Sequence, residues 1–145
     1  MSTFTETASL AISAFLSATV LPGSSELVLA ALAAQATTNV GLLLLVATVA
    51  NTAGSTVNWW LGSQALKFAD RPWFPATPQQ LQKAEMWFQR YGLWSLLLSW
   101  LPFVGDGITL AAGALRVKLL TFVALVALAK AARYIVVLWG VAVLV

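Results

Sequence analysis

Apolar residues run almost unbroken through 8–34, 40–62, 93–115 and 119–145, and one polar segment, 63–92, separates the first two stretches from the last two. Each stretch exceeds the roughly 20 residues that a helix needs to cross the hydrocarbon core of a bilayer. Two of them are cut internally, the first by Pro22 and Gly23 and the third by Pro102 and Gly105. Proline removes a backbone donor and glycine loosens a helix, so both cuts predict helix-break-helix. Broken backbone at membrane depth is tolerated only where protein buries it or where it lines a wet cavity. The first and third stretches are therefore expected to be re-entrant hairpins, and 40–62 and 119–145 true crossings.

The two halves echo each other. The pattern L-P-x-x-x-acid occurs at Leu21–Glu26 and again at Leu101–Asp106, each time followed by a run rich in small residues. Each copy then reaches a long apolar span ending in an aromatic-glycine signature, NWWLG at 58–62 and VLWG at 137–140. A single membrane domain is expected, with repeat one near 8–62, a linker at 63–92 and repeat two near 93–145. In the linker, TPQQLQKAEMWFQRYG from Thr77 opens as a capped helix with proline in its first turn. Leu81, Ala84, Trp87, Phe88 and Tyr91 fall on one face, opposite Lys83, Glu85 and Arg90. Such a helix suits either a membrane surface or the protein's own flank.

Charge gives the topology a direction. Lys67, Arg71, Lys83 and Arg90 lie in the linker, whereas the turn at 36–41 has no basic residue. Basic residues favour the cytoplasmic side, so the linker, Arg116 and Lys118 are expected there. Hairpin one would dip in from outside and hairpin two from inside, an all-α fold of two inverted-topology repeats such as many secondary transporters use. The N-terminus carries Glu6 and no basic residue, which is unlike a secretory leader.

Composition narrows the chemistry. The 145 residues are 60% hydrophobic and 9% charged, against about 25% charged in ordinary soluble domains. With no cysteine and no histidine, nothing suggests a disulfide, a metal site, a cofactor or a Ser-His catalytic pair. A net charge of +3 does not imply nucleic acid.

The candidate chemistry rests on a few polar residues within apolar runs. Glu26 and Asp106 are related by the repeat, and an ionised carboxylate costs several kcal/mol in apolar surroundings. They are read as binding protons or a small cation, with capping of the broken helices as the alternative. Lys130 lies eleven residues into the last span, on the order of 16 Å at 1.5 Å per residue, and Arg133 shares its face. These cations are counter-ions for the acids or partners for an anionic head group; at the membrane edge they would merely snorkel. Asn51, Ser55 and Asn58 form a polar stripe on the second span, suited to close helix packing or to lining a cavity. Membrane lipids are the expected partners, and so small a unit is a candidate homodimer.

Several of these residues also carry a resemblance. Phe88-Gln89-Arg90-Tyr91-Gly92, then Pro102, then Ala112-Gly113 follow the pattern F-x-R-[FY]-G, R-F-x-P-x-x-R, A-G of the DedA family of bacterial inner-membrane proteins. Pro22 to Glu26 and Asn58 to Gly62 fit as well, so the chain resembles a short branch of that family over most of its length. The resemblance implies a role in membrane homeostasis, with proton-coupled flipping of phospholipid or polyprenyl-phosphate carriers in several members. The two family arginines fall on Ser99 and Gly105, and an acid falls on Ser55. That leaves Lys130 and Arg133 as replacements for the missing cations. The overall expectation is a transporter of a lipid or small amphiphile. A small-ion or solute permease and a non-transporting membrane organiser are the alternatives.

Overall fold

The computed structural model describes residues 2–19, 23–36, 38–64, 71–72, 77–101 and 104–145, for Thr19, Leu81, Val104 and Asp106 by their backbone alone. All regular structure among the described residues is helical: α1 (Thr3–Thr19), α2 (Ser24–Gln35), α3 (Val40–Ser63), α4 (Pro78–Tyr91), a 3-10 helix (Gly92–Trp100), α5 (Val104–Ala114) and α6 (Leu119–Leu144). The two spans expected to cross are the two longest helices, with 24 residues in α3 and 26 in α6.

Local chemistry sets the helix ends. Gly23 precedes α2 at φ +88, a left-handed conformation that glycine adopts without cost, and α2 starts five positions after the last residue of α1. Asn39 caps α3 by accepting from the backbone N–H groups of Gly41 and Leu42 at 2.8 and 3.3 Å. Thr77 and Gln80 form a reciprocal capping box at the start of α4, with Pro78 in its first turn, as the sequence predicted. Gly92 turns the chain at φ +65 into a nine-residue 3-10 helix. Nine residues so wound extend about 18 Å, against about 14 Å in an α-helix.

The chain forms two compact units, residues 1–54 with 130–145 and residues 55–129. Helices α3 and α6 each contribute residues to both units. In the first unit Leu10 and Ala14 of α1, Leu29 and Leu32 of α2, Leu43 and Ala47 of α3, and Tyr134 of α6 make one core. A Cβ on Gly54 would lie 2.6 Å from the Phe15 carbonyl oxygen, so glycine there lets α3 run against α1.

In the second unit Phe88, Leu96, Ile108, Ala112, Phe122 and Val126 form the core. The α3 end and α5 lock together through two glycines. A Cβ on Gly62 would meet the Leu110 carbonyl oxygen at 1.9 Å, and one on Gly113 would meet that of Trp59 at 1.9 Å. Helix α4 packs on α5 and the 3-10 helix through Phe88 and Ala84. Its Met86, Trp87 and Tyr91 remain exposed, so the predicted apolar face is divided between the protein's own flank and the outside.

The outer surface is apolar. Leu27, Leu45, Val49, Leu120, Leu128, Val136, Trp139 and Val143 are all more than half exposed. Only 33% of the most apolar window of α3 and 28% of that of α6 is buried, whereas the core helix of a water-soluble domain is mostly buried. Surfaces of this kind require hydrocarbon around them.

Candidate functional site

The first turn of α2 carries Ser24, Ser25 and Glu26 directly after the left-handed Gly23. Carboxylates are favoured there by the positive end of the helix dipole. Across from this turn α6 presents Arg133 and Tyr134. Arg133 Nη2 lies 2.7 Å from Glu26 Oε1, and the two side chains are only 18% and 15% exposed. Beside the ion pair, the hydroxyls of Ser25 and Tyr134 are 2.9 Å apart and buried. Two neighbouring residues of α2 thus meet two neighbouring residues of α6, one contact charged and one neutral.

The carboxylate is shielded but not saturated. Both Glu26 oxygens are buried, and neither accepts a hydrogen bond of good geometry from the described residues, so the Arg133 contact is a charge pair. Gly23, the residue before α2, receives no side-chain cap. The capping alternative for Glu26 is therefore not realised among the described residues. Oε2 has no hydrogen-bond partner among the described residues.

Other expected site residues occupy defined places. Lys130 is 4% exposed and lies one turn before Tyr134, with Arg133 between them in sequence. Asn51 is 2% exposed and donates from Nδ2 to the Ala14 carbonyl at 2.8 Å, tying α3 to α1. Its Oδ1 accepts no well-formed hydrogen bond from the described residues, although the amide borders the Tyr134 hydroxyl. Asn58 is also buried and donates to Thr109 Oγ1 at 3.5 Å, which ties α3 to α5 in the second unit. Ser55, between them, is fully buried, and its hydroxyl has no hydrogen-bond partner among the described residues. Two of the three residues in the stripe are therefore helix cross-links.

The second acid is described only by its backbone. Asp106 is the third residue of α5, as Glu26 is of α2, so each acid holds the same position after its break. Pro22 and Pro102, expected to make those breaks, fall outside the described residues, as does Lys67. Gly105 was expected at the second break and lies instead inside the first turn of α5. A Cβ there would stand 2.3 Å from the Ser99 carbonyl oxygen, so glycine serves close approach to the 3-10 helix. The same contact excludes an arginine at 105 without movement of the backbone. Of the motif residues, Arg90 stacks 5.5 Å from the Tyr91 ring, Gly92 supplies the positive φ and Gly113 fits against Trp59. All three shape the second unit.

Four residues in buried polar contacts were not legible in the sequence as such. Ser25 and Tyr134 do not stand out by residue type; the one available signal was their position next to Glu26 and Arg133. Glu6 is 1% exposed and accepts a hydrogen bond from Thr38, which is also buried. No spacing rule links residues 32 positions apart.

Comparison with known proteins agrees with this membrane architecture. A model of the VTT domain matches residues 21–142. The chain is 40% identical to inner membrane protein YqaA of Escherichia coli over 131 residues, covering 89% of this chain and 86% of that protein. The same figures hold for inner membrane protein YqaA of Shigella flexneri. It is also 40% identical to an uncharacterized protein of Haemophilus influenzae over 135 residues, covering 88% of this chain and 82% of that one. No solved structure matches.

Proposed function

The chain belongs to the VTT-domain (DedA) family of inner-membrane proteins, and from that premise we propose that it moves a lipid or small amphiphile across the membrane under control of a proton. The observation that carries this reading is the Glu26–Arg133 pair, 2.7 Å apart and largely buried, with Glu26 Oε2 accepting no hydrogen bond among the described residues. Protonation of Glu26 cancels the attraction and frees a guanidinium suited to bidentate contact with a phosphate or carboxylate head. The Ser25–Tyr134 hydroxyl contact holds the two helices together while the charges separate. Lys130, on the same helix, adds a second cation for the head group, and Asp106 is the matching acid of the second half.

Element lengths support re-entrant hairpins. α1 has 17 residues, α2 12, the 3-10 helix 9 and α5 11, all below the roughly 20 needed to cross. Together with the sequence echo, this supports two inverted-topology repeats, with the linker on the cytoplasmic side. Lipids cover the exposed apolar faces. The chemistry is carriage, not bond-making, and chain and membrane need no cofactor for it.

The test is lipid movement in proteoliposomes with a fluorescent phospholipid reporter and an imposed pH gradient. Wild-type protein accelerates movement in a gradient-dependent way. Glu26→Gln, folded and inserted, retains less than a tenth of that rate and loses its gradient dependence. Full rate and gradient dependence in that variant refute the proton role. No acceleration by wild type under any gradient refutes transport and favours the membrane-organiser alternative.

A further inference from the structure

The second unit contains a cavity of about 450 Å³ that the Glu26–Arg133 site does not use. Its volume lies in the range of about 300–1,000 Å³ common for small-ligand sites. Trp59, Ser63 and Gln64 from the end of α3 form one wall, and Arg116, Lys118 and Leu119 from the turn into α6 form the other. We propose that this cavity binds the phosphodiester head of an anionic membrane lipid.

Charge is the first argument. Among the described residues the lining holds two cations, an amide and a hydroxyl, and no carboxylate. Neither Arg116 nor Lys118 has an acidic partner among the described residues. The first free N–H groups of α6, at Leu119, add positive potential at the cavity edge.

Backbone geometry is the second. Helix α5 closes with the Arg116 N–H donating to Gly113 O and the Val117 N–H donating to Ala112 O, both at 3.0 Å. This closure places residue 116 in the left-handed region, where glycine is the usual occupant. Here it is arginine at φ +55. A side chain in that conformation is strained, and such strain is a mark of functional positions. The turn is also fixed from beneath, because Trp59 Nε1–H donates to Val117 O at 3.0 Å and the Trp59 ring packs on Phe122 at 6.3 Å. The guanidinium therefore projects from rigid backbone, which lowers the entropy cost of holding a phosphate.

Position decides between a lipid head and a free anion. The cavity lies where one candidate span ends, at Ser63, and the other begins, at Leu119. That is head-group level for both. Trp60, Leu115 and Leu120 are 56%, 40% and 83% exposed beside it, apolar surface that acyl chains would cover and a free phosphate would not.

This site stands apart from the transport reading, since Glu26 and Arg133 belong to the other unit. The test titrates the purified full chain in non-ionic detergent with short-chain phosphatidylglycerol, phosphatidylcholine of equal chain length, or inorganic phosphate. Bound lipid is counted by native mass spectrometry, and melting is followed in parallel. Phosphatidylglycerol is expected to bind at least tenfold more tightly than phosphatidylcholine, more weakly at high salt, while inorganic phosphate leaves the melting temperature unchanged. The double variant Arg116→Gly, Lys118→Gln should lose phosphatidylglycerol affinity roughly thirtyfold, at about tenfold per 1.4 kcal/mol and about 1 kcal/mol per charge near a membrane surface. Its lipid-free melting temperature should not fall, because glycine relieves the strained φ. Equal affinity for the two lipids on wild-type protein overturns the proposal, as does wild-type affinity in a folded double variant. A melting shift with inorganic phosphate equal to that with phosphatidylglycerol overturns the assignment to a lipid.

Discussion

The Glu26–Arg133 contact is best tested by a double-mutant cycle of Glu26→Gln, Arg133→Gln and both together. At 2.7 Å and an effective dielectric of about 20, two unit charges attract by about 6 kcal/mol. Desolvation cancels several kcal/mol of this, since both side chains are more than four-fifths buried. Exposed pairs retain about 0.2–1 kcal/mol, whereas breaking a buried pair from one side costs about 3–5. An intermediate burial predicts a cost of about 2–3 kcal/mol for each single variant and a coupling of about 2 kcal/mol. Glu26→Gln preserves shape, whereas Arg133→Gln also shortens the side chain, so the coupling isolates the charge pair better than either single loss. Unfolding in detergent followed by tryptophan fluorescence measures all four corners. For a chain of this size about 2 kcal/mol corresponds to roughly 4–8 °C in melting temperature. The double variant should be about as stable as either single one. If instead the two losses add within about 0.5 kcal/mol, the residues act independently and the paired-charge reasoning fails.

Two further outcomes follow from the packing. Gly113→Ala drives a methyl group into the Trp59 carbonyl, 1.9 Å away, and should cost about 3 kcal/mol or more; a melting temperature within 2 °C of wild type, on the order of 0.5–1 kcal/mol, would show that α3 and α5 are not in this contact. Thr77→Ala removes one half of the capping box and should cost about 1 kcal/mol. Hydrogen exchange should show faster amide exchange confined to the first turn of α4, and unchanged protection there would contradict the cap.

Much of the helical layout was legible because its causes are local. Runs of apolar residues long enough to span a bilayer are read directly, and α3 and α6 lie where those runs lie. The α4 cap was legible for the same reason, since Thr77, Pro78 and Gln80 act within one turn. Glu26 was noticed because a charge in an apolar run is costly wherever it sits.

What the sequence could not supply was the other side of each contact. Whether Glu26 capped its helix or met a cation depended on which residue of α6 faced it, and the answer was Arg133 together with the Ser25–Tyr134 pair. Gly105 resembled a break, yet its role is to admit the Ser99 carbonyl. Glu6 and Thr38, Asn51 and Ala14, and Gly113 and Trp59 are likewise pairs whose members lie far apart in the chain. The long apolar spans and the α4 cap could be read from residues alone, because propensity, capping and hydrophobic length act over a few turns. Which polar groups meet and which glycines are notches emerges from the folded chain, because both depend on the separation of helices whose residues are distant in sequence.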